Sequence, residues 1–227
     1  MTSAPVVFWD IDGTLVTGSM ERVFIRHLRR QGVISSPSIA SNFLTLALRL
    51  PLPKWYQIKL CYLRGLRAEG LNHHVESCWR ETLRPALLPD AESVIQHFRS
   101  AGFQQVLLSG TILPLAKQIG KRLGISDIIA AEPEICNGVY TGRTVAEHPH
   151  GTTKVTRAEE WLSRNNHDWS NTIAIANHWE DRFLLEKCAT AIAAHPDKQL
   201  RAHARTQGWQ VVDTLTDIMT RQSEQKP

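Results

Sequence analysis

At 227 residues, 42% hydrophobic and with a mean hydropathy of −0.24, the chain has material for one well-filled core, or a core with a sizeable insert. No apolar run approaches the roughly 18 residues of a membrane span, and the N-terminal run is broken by Asp10 and Asp12 too early for a secretion signal, so stable membrane insertion is not expected. The four cysteines have neither CxxC spacing nor a zinc-like histidine arrangement and read as reduced thiols of a cytoplasmic protein, while the net charge of +4 is too unevenly spread to be a uniform property of the surface.

The first expected element is a strand at Val6–Trp9, which runs into Asp10-Ile11-Asp12-Gly13-Thr14. Two carboxylates two residues apart at a strand end can converge on one spot. There they could hold a hard cation against a phosphate, with one carboxylate free to attack phosphorus and the other to carry a proton. A strand entering an ordinary Asp-Gly turn has the same letters, so this stretch alone decides nothing.

Residues 16–88 carry eleven Lys/Arg against four acids, a net +7 that leaves −3 for the remainder. The segment lacks strand alternation and reads as helices over residues 20–31, 39–50, 54–66 and 72–86, punctuated by Pro51, Pro53, Gly65 and Gly70. Its basic character means either a solvated face or an anionic substrate or partner. Beyond it the pattern turns to α/β alternation. Strands are expected at residues 106–108, 172–175, 191–193 and 211–212, and helices at 92–101, Leu113–Leu123, 157–165 and 182–188. A hairpin is expected around Asn137-Gly138. The fold class is therefore α/β, a Rossmann-like parallel sheet with helices on both faces and an inserted helical segment. Strand runs ending at Asp10, Ser109 and Asn177 would bring three polar residues to one rim, where ligands bind in such sheets.

In LLSGT, residues 107–111, a hydroxyl, then Gly110, then Thr111 at the head of a helix offer donors to an anion. A serine nucleophile elbow would need glycine where Leu107 stands. Farther on, Thr156 and Glu159 fit a capping box, which places Lys154 at or just before a helix N-terminus. That end already carries positive dipole charge, so a cation there calls for a nearby anion. Lys117, in the helix after LLSGT, reads as a surface residue.

Taken in order, DIDGT, LLSGT, Lys154 and the acidic turn ANHWED at residues 176–181 resemble the four motifs of the haloacid dehalogenase-like phosphohydrolases. The resemblance spans nearly the whole chain. The helical insert resembles the type-1 cap of the phosphoserine phosphatase-like branch, and the tail from His195 resembles that branch's subfamily IB. It implies a core of residues 1–15 and 89–227 and a cap of residues 16–88. It also implies a magnesium-dependent phosphomonoester phosphatase acting through an aspartyl-phosphate on a small anionic organic phosphate.

By the same resemblance Asp10 is the nucleophile and a metal ligand, and Asp12 is the acid/base whose backbone carbonyl also faces the metal. Ser109, Gly110 and Lys154 bind phosphate, and Asn177 and Asp181 complete the Mg2+ site. Asn177 departs from the pattern, which expects a carboxylate there. A phosphotransferase of the same chemistry, or a catalytically weakened phosphate-binding regulatory protein, thus stands as the alternative. Glu21 lies slightly beyond the place where the phosphoserine branch keeps an acid for the substrate amine, so phosphoserine fits poorly. Glu21, Arg22 and Arg26 are candidates for gripping the substrate. His73, His74, His148 and His150 lack metal-ligand spacing and read as surface histidines. No basic-aromatic motif points to nucleic acid, and nothing in the residues sets an oligomeric state.

Overall fold

The computed structural model describes residues 4–48 and 59–224, with side chains to residue 220. The expected first strand, β1 (Val6–Trp9), is buried at all four positions. A continuous apolar run of this kind belongs in the middle of a parallel sheet covered on both faces. β1 pairs in parallel with β2 (Gln104–Ile112) on one side and β6 (Thr172–Ala176) on the other, with Trp9 opposite Leu107 and Ile175. β3 (Asp127–Ala131), β7 (Thr190–Ala194) and β8 (Gln210–Val212) extend the sheet to six strands in the order β3-β2-β1-β6-β7-β8.

The period-2 alternation of β1 divides the core. Val7 and Trp9 face α4 (Ala91–Ser100) and α5 (Leu113–Leu123), in a cluster that includes Phe98, Leu115 and Ile119. Val6 and Phe8 face α6 (Thr152–Arg164), α7 (Arg182–Lys187) and α8 (Lys198–Thr206) through Trp161, Leu184 and Leu200. α9 (Thr216–Glu224) docks beside α4, where Asp90 accepts from the Thr216 backbone N–H at 3.0 Å.

Between β1 and α4 lie α1 (Met20–Arg30), α2 (Ser36–Ala47) and α3 (Ala68–Cys78). α1 is capped by Ser19 and turns Met20, Phe24 and Leu28 inward. The chain leaves and re-enters this segment side by side, Thr17 N–H donating to Ala86 O at 2.8 Å and Leu88 N–H to Leu15 O at 2.9 Å. A third attachment comes from the hairpin β4 (Pro133–Cys136) and β5 (Val139–Thr144). Gly65 N–H donates to Tyr140 O at 3.0 Å and Tyr140 N–H to Leu66 O at 2.9 Å.

Several expected elements shift. α2 starts at Ser36 rather than residue 39, because Ser35 and Ser38 form a reciprocal cap around Pro37, and residues 49–50 of the helix expected there lie outside the described part. Of the helix expected over 54–66, residues 54–58 lie outside the described part and the rest is a 3-10 turn at Cys61–Leu63, ended by Gly65 at φ +87°. The helix expected over 72–86 begins at Ala68 and ends as α3 at Cys78. Single π and 3-10 turns follow, with Pro85 lacking the N–H that a continuing helix needs. The strand β3 and the helices α8 and α9 had no counterpart among the expected elements. Among the described residues no helix is long and apolar enough to cross a membrane.

Candidate active site

Because β2, β1 and β6 are neighbours, their ends carry Ser109, Asp10 and Asn177 to one rim, where they line a cleft of about 340 Å3 with Asp12, Lys154 and Asp181. Lys154 is at its centre. Its Nζ donates to Asp10 Oδ1 and to Asp181 Oδ1, both at 2.6 Å, and all three residues are at most 6% exposed. The capping box at Thr156 and Glu159 does not form. α6 starts earlier, behind Gly151, and Lys154 sits in its first turn. The anion demanded by a cation at a helix N-terminus is thus supplied twice. Burial works against the Lys154 charge, but Asp10 and Asp181 outweigh it and hold its pKa above the ordinary lysine value. For Asp10, burial dominates over the Lys154 attraction and pushes the carboxyl up to about 7.

Asp12 accepts from the Met20 backbone N–H and from Thr111 Oγ1, each at 3.0 Å. Burial raises its pKa against the pull of these bonds. Thr111 does not head a helix as expected. β2 continues through Ser109, Gly110 and Thr111 to Ile112, but its pairing with β3 skips from Leu108 to Ile112, so these residues bulge from the ladder at the cleft. A Cβ on Gly110 would lie 2.6 Å from the His148 ring, so this position has room only for glycine.

The turn after β6 is held from a distance. Asp197, which caps α8, also accepts from Trp179 N–H at 2.7 Å and donates its own N–H to Asn177 O at 2.9 Å. Thr14 Oγ1 lies 3.2 Å from Asp10 Oδ2 and 3.4 Å from Asn177 Oδ1, so one hydroxyl ties the nucleophile candidate to the turn. Gly13 has φ +82°, and a side chain there would run into the Asn177 amide.

A family model described as haloacid dehalogenase-like hydrolase matches residues 7–186. The chain belongs to that family. Phosphoserine phosphatase SerB1 of Mycobacterium tuberculosis is 27% identical over 91% of this chain and 70% of its own length. A histidinol-phosphatase of Neisseria meningitidis is 21% identical over 92% of this chain and 98% of its own. A crystal structure of a protein of unknown function from Bordetella pertussis superimposes with a TM-score of 0.82 at 26% identity, covering 93% of this chain and 99% of the other.

In this haloacid dehalogenase-like hydrolase the residues gathered at the cleft fit a hard divalent cation. Two buried carboxylates, Asp10 and Asp181, share one ammonium, which leaves negative charge in a desolvated place. Among the described residues no three His, Cys, Asp or Glu side chains gather as a metal cluster. Magnesium does not require that, since it accepts amide and carbonyl oxygens and retains waters. Asp10 and the Asn177 amide, already joined through Thr14, supply such oxygens.

On the side of the cleft facing the insert, Glu21, Arg22 and Lys59 line the wall. Arg26 does not; it is exposed one helical turn farther along α1. Glu21 is half-buried overall with Oε1 shut off from solvent, beside the buried Tyr62 hydroxyl, which completes no hydrogen bond of normal geometry. Burial pushes Glu21 up to about 7. A carboxyl raised in the fold above its ordinary 4.5 costs stability as pH climbs from about 4.5 to about 7. Glu21→Gln is accordingly expected to raise resistance to urea at pH 8 and to change little at pH 5. An equal effect at both pH values would show that Glu21 is not held in its acid form.

His148 was missed. It is only 7% exposed and lines the cleft, contrary to the expectation of a surface histidine, whereas Lys117 is exposed as expected. Thr14 and Asp197 were missed as well, and Thr111, read as a donor to an anion, instead donates to Asp12. The signals in the sequence were slight: a threonine in each of two strand-end turns, and an Asp-x-x-Leu helix start in HPDKQL.

Proposed function

We propose that the chain is a phosphomonoester phosphatase in which Asp10 is the nucleophile. The observation that carries this reading is Lys154 Nζ set 2.6 Å from both Asp10 Oδ1 and Asp181 Oδ1, beside an independently anchored Asp12. The Lys154 ammonium draws Asp10 toward its anionic form against the burial that favours the acid, and Asp181 keeps that ammonium in place. Asp10 attacks phosphorus, the ester oxygen leaves with the proton that Asp12 gives it, and Asp12 then takes a proton from the water that cleaves the aspartyl-phosphate. The raised pKa of Asp12 suits it to the first of these tasks. The bulged Ser109 and Gly110, together with Lys154, face the transferring oxygens and neutralise their charge.

Asp10, the Asp12 backbone carbonyl and Asn177 would hold Mg2+, which supplies charge neutralisation at the phosphoryl group when bound. Asp181, whose Oδ1 accepts from Lys154 and whose Oδ2 accepts from the His178 backbone N–H, would complete the site chiefly through its charge. Residues 16–88 act as the cap over a core of 1–15 and 89–227. The relatives named above act on different phosphates, and the basic wall of Arg22 and Lys59 favours a small anionic organic phosphate here. The test is Mg2+-dependent release of phosphate from a panel of amino-acid, sugar and nucleotide phosphates, compared with Asp10→Asn.

The amide at Asn177 brings an oxygen without a charge. Asn177→Asp is expected to lower the Mg2+ concentration needed for half-maximal activity by about tenfold or more, the scale of one gained charge-assisted contact. An unchanged Mg2+ requirement would remove this turn from the metal site.

A further inference from the structure

One polar side chain in the cleft has no task in the scheme above. His148 precedes α6 in the stretch HPHG and is more than nine-tenths buried, yet neither Nδ1 nor Nε2 completes a hydrogen bond of normal geometry among the described residues, the ring only approaching the Gly110 backbone loosely. Leaving two ring nitrogens unpaired is unfavourable, and a phenylalanine or leucine would fill the same volume without that cost. The ring is not loose packing, because it lies against Gly110, at 2.6 Å from where a Cβ would stand, and it borders the same cleft as Asp10 and Lys154.

The charge around it selects the kind of ligand. Burial and then Lys59, His150 and Lys154 disfavour a proton on the ring and hold its pKa near 4, with only the Gly110 backbone pulling weakly the other way. In the free protein the ring is therefore neutral, with one N–H donor and one acceptor nitrogen. Besides burial, the fixed charges that disfavour a proton on it are the Lys59 and Lys154 ammonium groups; His150, itself held below the ordinary histidine value, adds to them only when protonated. A cationic ligand would meet repulsion there, and an anion would be attracted by those cations and would accept from the ring N–H.

We propose that His148 is a phosphate-binding residue, its imidazole N–H donating to an oxygen of the anion that Gly110 and Lys154 receive. This rests on reading the cleft as the phosphate ester site. Clamped against Gly110, the ring is already oriented before the ligand arrives, so little side-chain freedom is lost on binding. An anion beside the ring also offsets the neighbouring positive charges, so binding raises the affinity of His148 for a proton.

The experiment uses the full chain with Mg2+ and inorganic phosphate as the probe. The ring resonance of His148, assigned by its loss in His148→Phe, is followed by NMR against pH with and without saturating phosphate. The expected result is an upward shift of the His148 midpoint by about one unit or more, the size of one charge-assisted contact. His148→Phe retains the packing and is expected to raise both KM and the inhibition constant for phosphate about tenfold, with kcat changed less than about threefold. His73→Phe, at an exposed position of α3 away from the cleft, serves as the comparison and is expected to change neither constant by that much.

A His148 midpoint that ignores phosphate, or a His148→Phe protein that binds phosphate as the wild type does, overturns the assignment. The NMR titration needs no turnover, so the two readings fail separately. Loss of the phosphatase reading appears as activity retained in Asp10→Asn, whereas loss of this one appears as an unmoved His148 in an active enzyme.

Discussion

Asp10→Asn is expected to cut phosphate release by roughly 10³-fold or more while the protein remains folded. The amide keeps the shape of the side chain and an oxygen for the Lys154 ammonium, but it has no anionic oxygen to attack phosphorus. Folding should not suffer, because burial already drives the Asp10 carboxyl up to about 7 and the fold therefore gives up little when that charge is removed. Lys154 still has Asp181 at 2.6 Å. Phosphate release and thermal unfolding measured on the same preparation separate loss of chemistry from loss of fold. Near-full activity in pure Asp10→Asn would mean that another group attacks phosphorus, and the assignment of Asp10 would be abandoned.

The parts of this design that were legible in the sequence are those encoded by short periods. β1 and the apolar stretches within β2 (residues 106–108) and β6 (residues 173–176) read as central strands, and each is followed by a polar residue, so Asp10, Ser109 and Asn177 could be placed on one rim without coordinates. β3, Asp127–Ala131, was not distinguished from α5, with only three residues between them, because an apolar run of that length fits the end of a helical segment as well as a strand. Lys154 was legible as a cation out of place at a helix start. Its anions were not, since they come from positions 144 residues earlier and 27 later.

His148 shows the other limit. Its neighbours in sequence are Pro149 and His150, which suggest a surface loop, whereas in the fold it is buried with Gly110 of β2 close against its ring. Asp197 is similar: as a helix cap it is local, but as the support of the Asn177 turn it acts through a tertiary contact that no sequence spacing announces. Arg26 failed for a geometric reason. It lies one turn from Arg22 on α1, and the end of the helix, not its length, borders the cleft.

The largest effect on stability is expected from Lys154→Met. Methionine fills much of the same volume but leaves Asp10 and Asp181 facing each other in a buried site with no cation between them. Removing one partner from a buried ion pair costs about 3–5 kcal/mol, and activity should be lost as well. The cost must depend on pH in a definite direction. Lys154 is the main influence holding the Asp10 pKa down, so without it that pKa rises further above about 7, away from the ordinary 3.8 of the unfolded chain. A carboxyl whose pKa is higher in the fold binds more protons folded than unfolded, so stability falls as pH climbs from about 4 through the folded pKa. Lys154→Met is therefore expected to lose more stability, relative to wild type, at pH 8 than at pH 5 in metal-free urea unfolding. Lys154→Arg keeps the charge and should recover much of the stability at pH 8, while its bulkier fork displaces the oxygens it meets and leaves activity low. An equal loss for Lys154→Met at both pH values would show that the variant suffers from packing alone, and that the Asp10–Lys154–Asp181 cluster is not the electrostatic centre of the site.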